Sequence, residues 1–98
     1  MLGVVNLDKQ HQQKYQQLGL NIAYYRKQCG MSQIRLAERV GISRTHMSRI
    51  ETAECAVSLD VIFSICAVLD ISPDKLFDFR QEAHTETGAD APHLPLFF

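Results

Sequence analysis

Apolar residues recur along this chain at helical spacing, and nowhere do they alternate strictly with polar ones. The pattern predicts helices and no strands. From Lys14 to Cys29, the residues Leu18, Ile22, Tyr25 and Cys29 form one helical stripe, which Gly30 ends. Ser32 is a suitable N-cap for a second helix carrying Ile34, Leu36, Ala37 and Val40, and Gly41 stops it after two turns. Ser43 caps a third helix with Met47 and Ile50 facing inward. Ser58 caps a fourth, where Asp60 suits the first turn and Leu59, Ile62, Ile65, Cys66 and Leu69 make the buried side. Ser72-Pro73 opens a fifth, anchored by Leu76 and Phe77.

Helices this short are marginal alone and must pack on one another. The expected fold class is therefore all-α, a compact four- to five-helix bundle with short connections. Residues 1–13 read as an N-terminal arm, residues 14–80 as the folded domain, and residues 81–98 as an irregular tail. The Gln-rich run from Gln10 to Gln17 should feed the first helix. The tail holds Gly88, Pro92, Pro95 and several acids, yet it finishes Leu94-Pro95-Leu96-Phe97-Phe98. That end is expected to dock on its own domain or on a second subunit.

Composition narrows the function classes. The 98 residues support one domain, too small for a catalytic α/β barrel. No apolar run approaches the roughly 18 residues of a membrane span, and Met1 to Leu7 lacks the flanks of a signal peptide, so a cytoplasmic protein with no membrane partner is expected. Cys29, Cys55 and Cys66 show no CxxC pairing, and His11, His46, His84 and His93 are scattered. No metal site, disulfide framework or cofactor is expected, and the thiols read as buried side chains. A Gly-rich phosphate loop and a nucleophile–base set are also missing, so an enzyme is not expected.

The net charge of −1 conceals an uneven distribution. Arg26, Lys27, Arg35, Arg39, Arg44 and Arg49 face a single acid, Glu38, between positions 26 and 49. From Asp74 onward five acids outnumber Lys75 and Arg80. A basic block in a near-neutral chain points to a polyanion on one face, although a solvated helix face accounts for it as simply.

The segment from Gln33 to Thr52 supplies the motif: two short helices joined by a tight turn at Gly41. Ala37 is small enough for the helices to cross closely. Leu36, Val40, Ile42, Met47 and Ile50 fill the wedge behind them, leaving Arg44, Thr45, Ser48 and Arg49 able to face outward, with His46 between the two sides.

This stretch resembles the phage repressor and Cro-like (xenobiotic-response-element) family of helix-turn-helix transcription regulators. The resemblance runs from about Leu18 to Phe77, taking in Leu18-Gly19, Gly30-Met31-Ser32-Gln33, Ser58-Leu59 and Ile71-Ser72-Pro73-Asp74-Lys75-Leu76-Phe77. It implies the lambda-repressor-like DNA-binding fold and binding of double-stranded DNA as a homodimer, with repression the default role. Arg44, Thr45, Arg49 and, more weakly, Ser48 fall where such proteins meet base edges. Gln33, at a helix N-terminus that favours an anion, is expected on a phosphate. Ser43 and His46 are secondary phosphate candidates. Arg35 and Arg39 offer diffuse phosphate attraction or a solvated face. Arg26 and Glu51 match positions that form a partly buried ion pair, and Tyr24 and Tyr25 read as packing and rim residues. One departure stands out: the loop Thr52-Ala53-Glu54-Cys55-Ala56-Val57 has no Gly, no basic residue and one acid, where such proteins commonly carry a Gly and basic or amide residues. That weakens the expected grip on the duplex backbone. The alternative reading is a protein-interaction module, such as an antitoxin or accessory regulator, meeting a protein partner through the C-terminal tail.

Overall fold

The computed structural model describes residues 9–80, and the first part of the N-terminal arm and the tail lie outside the described residues. Five helices follow in order: α1 (Lys9–Gln28), α2 (Gln33–Val40), α3 (Arg44–Glu51), α4 (Leu59–Leu69) and α5 (Pro73–Leu76). No strand occurs among the described residues, and their fold is all-α.

The helix starts obey side-chain chemistry. Ser32, Ser43 and Ser58 each hold extended backbone and accept a hydrogen bond from the amide three residues on, at 3.1, 3.0 and 3.1 Å. Each thereby satisfies one of the amides that a helix leaves without a partner. Gly41 ends α2 in the left-handed region at φ 91°, its amide returning to the Ala37 carbonyl at 2.8 Å. Only glycine adopts that conformation without steric cost.

Leu18 and Ile22 from α1, Leu36 and Ala37 from α2, Met47 and Ile50 from α3, Ile62, Ile65, Cys66 and Leu69 from α4, and Leu76 from α5 form one continuous core. The helices are thus held by shared burial rather than by length.

Several expectations from spacing alone need correction. Helix α1 begins at Lys9, five residues before Lys14, so a helix reaches into the stretch read as an arm. In this added turn the Gln12 carboxamide donates to the Ala53 carbonyl at 3.4 Å. Leu59, expected inside, is 61% exposed, because the first residue of α4 points past the end of the core. Ile34 and Phe77 are also exposed, leaving Leu76 alone as the α5 anchor. Of the three thiols only Cys66 is buried; Cys55 is half-buried, and Cys29 is exposed with its thiol donating to the Leu69 carbonyl.

Candidate nucleic-acid interface

The α2–turn–α3 unit sets out a two-sided rod. On α3, Met47 and Ile50 are inside, while Arg44, Thr45 and Arg49 are exposed and Ser48 is half-buried. Positions 44 and 48, and 45 and 49, lie four apart, so these four side chains share one surface. His46 is half-buried at its edge. Ser43 is exposed, with its hydroxyl committed to the cap. On α2, Arg35 and Arg39 are both exposed and also four apart, on the side away from Leu36 and Ala37. Lys27, at the end of α1, is exposed as well. Each of these cations keeps its charge in water, where a polyanion can reach it.

The rod is fixed at its far end by Glu51. Arg26 from α1 approaches its carboxylate with two nitrogens: Nε lies 2.7 Å from Oε2 and Nη2 lies 3.0 Å from Oε1. The two side chains are only 10% and 5% exposed. The remaining Arg26 nitrogen, Nη1, donates to the Met31 carbonyl at 2.8 Å. Gln33 from the start of α2 also donates to Glu51 Oε1, at 2.8 Å. All three guanidinium nitrogens of Arg26 and both carboxylate oxygens of Glu51 are therefore engaged. A fork-shaped guanidinium facing a carboxylate in this way is geometrically selective, since a lysine offers no such fork.

Gln33 thus has a task that its spacing did not reveal. Its amide holds Glu51, and a carboxamide nitrogen carries two hydrogens, so one donor remains for a second acceptor. Two further residues have packing roles that the sequence reading did not assign. Gly19 packs α1 directly on the last turn of α3: a Cβ there would stand 2.4 Å from the Glu51 carbonyl oxygen and 2.8 Å from that of Ile50. Asn21 is buried and donates to the Leu76 and Asp78 carbonyls at 2.9 and 3.0 Å, tying α1 to the end of α5. The traces in the sequence were slight: a glycine inside a helical pattern, quoted only as part of the family resemblance, and a lone amide at position 21.

The loop after α3 makes up for its missing glycine. Ala53 takes φ 61° and is buried. The Thr52 hydroxyl donates to the Glu54 carboxylate at 2.8 Å, so the one acid of this loop is locally bonded. Burial pushes the Cys55 thiol up, against the pull of nearby Arg49, with Glu54 adding to the rise. Among the described residues no group of His, Cys, Asp and Glu is placed to hold a metal, and no helix is long and apolar enough to cross a membrane.

Known proteins resemble this chain in sequence and fold. The helix-turn-helix family model HTH_3 matches residues 22–76. The HTH-type transcriptional regulator SinR of Bacillus subtilis (strain 168) is 32% identical over 75 residues, which is 76% of this chain and 68% of that protein. The chain belongs to the phage-repressor and Cro-like helix-turn-helix family. Among solved structures of such proteins, the restriction-modification controller protein C.AhdI from Aeromonas hydrophila is 32% identical, with a TM-score of 0.63 over 64% of this chain and 96% of that one. SinR in complex with DNA is 35% identical, with a TM-score of 0.58 over 62% and 98%. The matched span holds the whole α2–turn–α3 unit together with Arg26, Glu51 and Leu76, so the family resemblance and the anchoring cluster coincide.

Proposed function

We propose that this helix-turn-helix regulator binds duplex DNA sequence-specifically as a homodimer and represses transcription, with α3 in the major groove. One observation carries the reading: α3 buries Met47 and Ile50 while Arg44, Thr45 and Arg49 stay exposed on a rod anchored at Glu51. Arg44 and Arg49 are suited to the O6 and N7 of guanine, Thr45 to a thymine methyl, and Ser48 to a nearby base edge. Gln33, Ser43 and His46, with Arg35 and Arg39 behind them, address phosphates. Gln33 does so through its second amide hydrogen, and Ser43 through its backbone at the start of α3. SinR, solved with DNA, supports this assignment by likeness. A second structure holds SinR with the SinI protein, which supports a protein partner as a further part of this reading.

Selection of bound sequences from a random duplex pool tests the proposal. An enriched palindrome is expected, its half-sites about 34–36 Å apart along the helix axis. Affinity should fall steeply with salt as phosphate counterions are displaced. Arg49→Ala should weaken specific binding by about 1–3 kcal/mol and relax one base position. A pool with no enrichment at low salt overturns the proposal.

A further inference from the structure

A groove of about 380 Å³ opens between α1, the start of α4 and the residues after α5. Buried Leu18 and Ile62 form its floor, and Tyr15, Leu59, Phe77 and Phe79 its walls. Leu59 is 61% and Phe77 43% exposed, so two large apolar side chains stand in water around an apolar hollow. Lys14 and His11 are the polar groups at its rim, and no acid lines it. A smaller hollow edged by Lys14 and Phe79 adjoins it. No lining residue of either belongs to α2 or α3.

We propose that this groove is the docking site of the chain's own C-terminal segment. Leu94, Leu96, Phe97 and Phe98 would cover the apolar floor, and the acids of residues 81–93 would lie beside Lys14 and His11. Three observations favour this occupant. The segment starts at the groove: it continues from Arg80, one residue past the wall residue Phe79. Its chemistry is the complement of the groove. Residues 81–98 contain Glu82, Glu86 and Asp90 with no Lys or Arg, then close on four large apolar residues around Pro95. Its length is also suitable. The 13 residues from 81 to 93 span about 20 Å as a coil, which matches a return to a site beside their own origin. Tethering of this kind sets an effective concentration in the mM range, so even a weak intrinsic affinity fills the site. The groove lies near the lower end of the roughly 300–1,000 Å³ of ligand pockets. It takes a few side chains of an extended segment, not a helix. Because α2 and α3 are not involved, docking leaves the Arg44–Arg49 face free.

Isotope-edited NMR on the full chain tests this. Cross-peaks are expected from the Phe97 and Phe98 rings to the Leu59 and Ile62 methyls. They should persist on dilution and be absent between differently labelled copies in a mixed sample. Phe97→Ser/Phe98→Ser should abolish them and lower Tm by roughly 5–10 °C, as for a small domain losing a modest contact. Leu59→Asp changes only an exposed wall residue and should lower Tm similarly, and the combined variant should fall no further than either. Cross-peaks confined to differently labelled copies would make a second molecule the occupant and overturn the proposal. Absence of any tail-to-groove cross-peak, or fully additive Tm losses, would overturn it as well.

Discussion

Replacing Gly19 by alanine should reverse the usual sign of such a change. In a solvated helix interior, Gly→Ala stabilises by about 1 kcal/mol. Here the added methyl would stand 2.4 Å from the Glu51 carbonyl oxygen, 2.8 Å from its carbon and 2.8 Å from the Ile50 oxygen. All three are backbone atoms of α3, so no side-chain rotation relieves the clash. Ordinary contact needs roughly 3.5 Å, so α1 and α3 must part by about 1 Å. Such overpacking costs about 1–3 kcal/mol. The same displacement would stretch the 2.7 Å Arg26–Glu51 contact beyond hydrogen-bond length, adding about 1–3 kcal/mol for buried polar atoms left unpaired. Net of the helix gain, Gly19→Ala should destabilise by about 3 kcal/mol, a lowering of Tm by roughly 12–24 °C. Urea unfolding followed by circular dichroism measures it, with Gln16→Ala on the exposed side of α1 as the control, expected within about 0.5 kcal/mol. A Gly19→Ala protein as stable as the parent would show that the α1–α3 contact is loose and that the anchoring argument fails.

The Arg26–Glu51 pair should behave as a unit. Glu51→Gln, which strands a guanidinium, should cost about 3–5 kcal/mol in urea unfolding, while Arg26→Met/Glu51→Met should cost much less than the two single changes added together. Ala53→Gly should be nearly neutral, within about 1 kcal/mol. Relief of a left-handed alanine, about 1–2 kcal/mol, is offset by a lost buried methyl and a looser unfolded chain, whereas Ala53→Val should cost more than about 2 kcal/mol. Burial raises the Cys66 thiol above the ordinary 9.0, with Asp74 adding to the rise. Its neutral form therefore stabilises the fold below pH 9, and that contribution is lost as pH climbs through the raised value. Thiol titration at pH 8 should accordingly modify exposed Cys29 quickly and Cys66 only on unfolding.

Local rules were readable wherever one residue decides a backbone state. Ser32, Ser43 and Ser58 cap their helices because a hydroxyl at that position has an amide to accept from, and Gly41 turns because it alone tolerates φ 91°. Apart from the Arg26–Glu51 pair, which the family resemblance implied, contacts that depend on a distant partner were not readable. Gly19 looks like a helix defect until α3 lies against it. Asn21 and Gln33 look solvated until the carbonyls of residues 76 and 78 and the Glu51 carboxylate arrive. The start of α1 was hidden because five glutamines between positions 10 and 17 carry no apolar period. Leu59 misled for the opposite reason: it fits the stripe of α4 but lies where the core has ended.

The contacts of Gly19 and Gln33 converge on the final residue of α3. Glu51 presents its carbonyl to Gly19 and its carboxylate to Arg26 and Gln33, so α1 and α2 both hold α3 by the same residue. The other end is fixed by the Ser43 cap. An eight-residue helix would not persist alone. It is held at both ends and along its Met47–Ile50 side, and none of those contacts uses the side chains of Arg44, Thr45 or Arg49. Stability and outward chemistry therefore reside on different atoms of one short rod. Substitutions at the outward positions should alter which surface the rod prefers while barely moving the unfolding midpoint. Changes at Gly19, Arg26 or Glu51 should lower stability and blunt every such preference together.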